Sequence, residues 1–68
     1  MVSDRRREMT RMLIEIWNDR DFLIGVNTHL KSENDIEQMI SYLNENKNLK
    51  SDEVLKKSMD IRYNIGAQ

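Results

Sequence analysis

The sequence has no cysteine and no proline, two glycines, one histidine, one tryptophan and one phenylalanine in 68 residues. Each shortage excludes something. Without cysteine there is no disulfide and no thiolate metal site. The single histidine, His29, cannot hold a metal without carboxylate help. No glycine-rich phosphate loop and no nucleophile with a base at motif spacing occur, so neither catalysis nor a cofactor nor a small-molecule substrate is expected. No apolar run approaches the roughly 18 residues of a membrane span. The arginines near the start lack the apolar stretch that a secretory signal places after its charges. Cysteine-free composition fits a reducing cytoplasm.

What is present reads as one small domain. Hydrophobic residues make up 38% and charged residues 34%, with a net charge of −1, a balance that folds. It lacks the strong basic excess of a dedicated nucleic-acid domain. A chain of this size buries only about 60% of the surface it exposes when unfolded. Disulfides, a metal or oligomerisation ordinarily assist such scaffolds. With the first two removed, self-association is the expectation.

Periodicity predicts a mainly α fold. A first helix over 4–18 is capped by Ser3 or Asp4. It buries Met9, Met12, Leu13, Ile16 and Trp17 at i, i+3, i+4, i+7 and i+8, with Arg7, Arg11, Glu15 and Asn18 opposite. Ile14 lies off that stripe and hints at a second contact. A helix over 32–46 starts at Ser32 and buries Ile36, Met39, Ile40 and Leu43. A third runs over 51–64 from a Ser51 cap, after a stop and a turn in "NENKN" (44–48). Residues 66–68 are expected to fray.

Residues 21–31, "DFLIGVNTHLK", admit two readings. A helix stacks Phe22, Val26 and Leu30 with Leu23 beside them, but leaves Ile24 exposed and Gly25 mid-helix, at about 1 kcal/mol relative to alanine. A strand alternates Phe22, Ile24, Val26, Thr28 and Leu30 onto one face. The β-branched content favours the strand. The fold expected is therefore three helices with one short strand over 22–30; the alternative is all-α with four short helices.

Arg5, Arg6, Arg7 and Arg11 are candidates for contact with an anionic partner. A solvated helix start is the commoner meaning of such a cluster. Against it, cations at a helix N-terminus oppose the macrodipole, and Arg7 and Arg11 are like charges at i, i+4. Met9, Met12, Met39 and Met59 read as ordinary core, and Trp17 as a core anchor. The last helix carries two apolar stripes. One contains Val54, Ser58, Ile61 and Ile65, the other Leu55, Met59 and Tyr63. A three-helix monomer covers one stripe more readily than both. Val54, Leu55, Met59, Ile61, Tyr63 and Ile65 are thus expected at a homodimer interface.

From residue 22 the expected order is strand, helix, turn, helix, and "LKSDEVLKKSMD" (49–60) resembles the second-helix opening of ribbon–helix–helix DNA-binding proteins. The resemblance covers residues 22–64. It implies a strand paired with that of a second subunit, entering the major groove. It also implies base contacts from Asn27, His29 and Lys31, and a phosphate held near Ser51. Two functions follow. The first is a non-enzymatic interaction or regulatory module working through protein–protein contacts as a homodimer. The alternative is a ribbon–helix–helix-like DNA-binding regulator or antitoxin.

Overall fold

A computed structural model describes residues 4–63, and these form four helices: α1 (Asp4–Ile16), α2 (Arg20–His29), α3 (Glu33–Glu45) and α4 (Ser51–Tyr63). The mainly α expectation holds, in its four-helix form. The expected strand over 22–30 is corrected: this segment is α2, and the described residues contain no strand. The ribbon implied by the family resemblance needs an extended backbone there.

Two local causes make residues 20–29 helical. Asp19 sits at the N-cap in an extended conformation, and its carboxylate accepts the Phe22 N–H at 3.2 Å, satisfying one of the orphan donors of the first turn. Phe22, Val26 and Leu30, spaced by four, are all buried. A strand would have carried Ile24 inward with them; in the helix it is 53% exposed. Tertiary burial of an i, i+4, i+8 stripe outweighs the β-propensity of single residues. Gly25 is tolerated mid-helix because α2 approaches α4 closely there, with an ideal Cβ falling 3.2 Å from Leu55 Cδ1.

The other helices follow the expected bounds to within a residue or two. Ser32 caps α3 through a reciprocal box, its hydroxyl accepting the Asp35 N–H while the Asp35 carboxylate accepts the Ser32 N–H. Ser51 is the first residue of α4, not its cap. There the Glu53 carboxylate accepts the Lys50 N–H at 2.8 Å. Between α3 and α4, Asn48 takes a left-handed φ of 60°, the role glycine usually fills and asparagine tolerates.

The helices pack as a ring in which α1 touches α2 and α3, and α4 touches α2 and α3. Among the described residues the diagonal pairs, α1 with α4 and α2 with α3, make no close backbone approach. Inside lie Met9, Leu13, Phe22, Val26, Leu30, Ile36, Met39, Ile40 and Val54. Trp17 closes one end edge-on to Phe22, ring centroids 5.4 Å apart. Ile16 corrects the expected α1 stripe: at the helix end it is 61% exposed. Met59 likewise is not core but exposed, whereas Met9 and Met39 are fully buried.

Candidate interaction surfaces

The arginine cluster divides into two pairs. Arg5 and Arg6 are half-buried and turned into the fold. The Arg5 guanidinium donates through Nε and Nη2 to both Glu37 oxygens, the latter at 2.9 Å, and through Nη1 to Glu8 at 2.9 Å. This bridge ties α1 to α3. The hydrogen bonds from Arg5 hold the Glu37 carboxyl below the usual carboxylate range, and Glu37 in turn pushes the Arg5 guanidinium up. Arg6 donates to the carbonyls of Asn27 and Leu30 and to Asn27 Oδ1, at 3.2, 2.6 and 2.9 Å. These two side chains build the fold.

Arg7 and Arg11 are exposed. Neither side chain has a hydrogen bond or ion pair with another described residue. With Arg6, Thr10, Ile14 and Asn27 they line an open groove of about 490 Å³ between α1 and α2. Ile14, 43% exposed, supplies an apolar surface there, and no acidic side chain lines the groove. On the far side of the two arginines stand Asp4 and Glu8, of which Glu8 is held by Arg5. Leaving two like charges a turn apart near a helix N-terminus costs about 0.2–0.5 kcal/mol from their mutual repulsion alone. Ile14 was visible in the sequence as an off-stripe residue; that it joins these arginines depends on the packing of α2.

The residues assigned to DNA contact are scattered. Asn27 lies in α2 with its side-chain amide donating to the Leu23 carbonyl at 2.9 Å and to Thr10 Oγ1 at 3.4 Å. His29, in the last turn of α2, faces α4, with Nδ1 3.1 Å from Ser58 Oγ. Ser58 is fully buried and donates its one hydroxyl proton to the Leu55 carbonyl at 2.6 Å. His29 Nδ1 must therefore be the donor to Ser58. The pair is a latch between α2 and α4, with the Ser58 oxygen shut off from solvent. Lys31 is exposed beyond the α2 end, and Ser51 is on a different helix.

The six residues expected at a dimer interface separate by stripe. Val54 is fully buried inside its own chain, so its inclusion is corrected. Ile61 and Leu55 are half-buried against the core. Met59 and Tyr63 are 42% and 57% exposed, and Ile65 lies outside the described residues. Leu55, Met59 and Tyr63, spaced by four, make one outward row on α4. Arg62 lies over the Tyr63 ring, 5.3 Å from its centroid.

Among the described residues no group of three or more His, Cys, Asp or Glu side chains is placed to hold a metal ion. No described helix is long and apolar enough to cross a membrane. Compared with protein-family models, with curated proteins and with solved structures, the chain matches none.

Proposed function

We propose that this chain is a non-enzymatic interaction module that works as a homodimer paired through α4. The observation that carries the reading is the outward row of Leu55, Met59 and Tyr63, increasingly exposed along α4 beside the inward row of Val54 and Ser58. Covering that row between two copies removes apolar surface at about 25 cal/mol per Å². α4 is acidic in its first turn, at Asp52 and Glu53, and carries Arg62 in its last. An antiparallel pairing about a two-fold axis thus sets opposite charges against each other as well as the apolar rows. Among the described residues the one hydroxyl–imidazole pair, Ser58 with His29, is turned inward and already satisfied, which supports a binding role over a chemical one.

Sedimentation equilibrium tests this. The wild type should associate as its concentration rises, and Met59→Asp should remain monomeric with unchanged helix content. A wild type still monomeric at hundreds of micromolar would overturn the reading.

A further inference from the structure

We infer that the groove between α1 and α2 binds an acidic, helix-forming segment of another protein, with carboxylates on Arg7 and Arg11 and an apolar side chain against Ile14. The inference rests on the reading of the chain as an interaction module. Arg7 and Arg11 stand four residues apart on one face, about 6 Å along the axis. Two carboxylates at i and i+4 of a partner helix have that same separation, and an apolar residue on the same partner face meets Ile14. The groove is cationic where its residues are charged and apolar at Ile14, with no acid lining it. An acidic amphipathic helix complements both features. A phosphodiester backbone would pair with the arginines but leave Ile14 wet, and this chain's net charge of −1 gives no long-range pull on nucleic acid. Arg6 is already committed to the end of α2, so it shapes the groove wall while Arg7 and Arg11 meet the ligand.

The test uses the full chain and a fluorescent alanine-based peptide of about 15 residues, long enough to become helical, in which two glutamates four apart have leucines on the same face one turn before and one turn after them. Wild type should bind this peptide, more weakly as salt rises. The Arg7→Glu/Arg11→Glu double variant should lose about tenfold or more in affinity. A peptide with lysine in place of glutamate should bind the double variant better than the wild type does. Ile14→Ser should weaken binding with charges untouched. Equal binding by wild type and double variant, no binding by wild type, or tighter binding to a random DNA duplex or to anionic vesicles would each overturn the inference. Circular dichroism verifies folding of each variant, whose changed side chains are all exposed. Sedimentation of the wild type, run beside its peptide titration, separates the two readings. A dimer that ignores the acidic peptide removes this inference alone, whereas a monomer that binds it removes only the α4 pairing.

Discussion

Arg6 of α1 donates from Nη2 to the Leu30 carbonyl at 2.6 Å and from Nη1 to the Asn27 carbonyl at 3.2 Å, so a side chain of the first helix closes the C-terminus of the second. The last carbonyls of a helix have no partner within it, and a cation there also meets the negative end of the dipole. Arg6→Ala should destabilise the protein by about 1–3 kcal/mol, the cost of leaving partly buried acceptors unmatched. Arg6→Lys should fall between, since one ammonium lacks the planar fork. Urea unfolding checks this: the midpoint should drop with the slope unchanged. A wild-type midpoint in Arg6→Ala would mean that water replaces the guanidinium without loss.

The Arg5–Glu37 bridge predicts a pH dependence. The folded Glu37 carboxyl ionises below its unfolded value, because the Arg5 guanidinium hydrogen-bonds to its charged form. The stability it confers is therefore complete above that unfolded value and is lost as the pH falls through the folded one. Thermal melts of wild type and Glu37→Gln should differ near neutral pH and converge in acid. Both side chains are more than 40% exposed, so the difference should be small and shrink with salt. A gap that persists undiminished in acid would assign the effect to packing instead.

For the α2–α4 latch, Ser58→Ala removes the acceptor of the His29 N–H and should cost about 1 kcal/mol or somewhat more, because the site is buried. Nitrogen-15 shifts of the imidazole report the tautomer. Neutral His29 should carry its proton on Nδ1 in the wild type and lose that preference in Ser58→Ala. A wild-type ring protonated on Nε2 when neutral would show that the bond runs the other way.

Gly25→Ala sets two effects against each other. Alanine gains up to about 1 kcal/mol of helix propensity, while its methyl crowds Leu55 Cδ1 at 3.2 Å. The Leu55 side chain is half-buried, so its end can shift outward by a few tenths of an ångström. A net gain of roughly 0.5 kcal/mol is expected. Gly25→Leu has no such escape and should lower the melting temperature by prising α2 from α4. A destabilised Gly25→Ala would mean that Leu55 is locked by its neighbours.

Three helices were legible in the sequence because each carries apolar residues at helical spacing, and in α3 the cap agrees with the stripe. Ser32 stands before the row of Ile36, Met39 and Ile40, and all three are buried. The second helix was misread because Ile24, Val26 and Thr28 satisfy a period of two as well as Phe22, Val26 and Leu30 satisfy a period near four. Asp19 was the available signal. It reads as the end of α1, yet it caps α2. The arginines show a different limit. That Arg5 and Arg6 lean toward the apolar side of α1 follows from the helical wheel. That their partners are Glu37 and the end of α2 depends on which helices adjoin α1, and spacing along the chain does not encode that. The groove beside Ile14 is hidden for the same reason, since it exists only once α2 lies against α1.

The separation of α1 from α4 across the helix ring has a consequence for valency. Two copies joined along α4 would each keep an α1 edge pointing away from the joint, so one assembly would offer a pair of grooves at its outer ends. A target carrying two acidic segments could then engage both, the second contact being intramolecular and governed by the spacing of those segments. Two separate targets could equally be held together. The diagonal layout of four short helices would thus make so small a chain a coupler, with a strength of attachment set by the distance between its partner's segments.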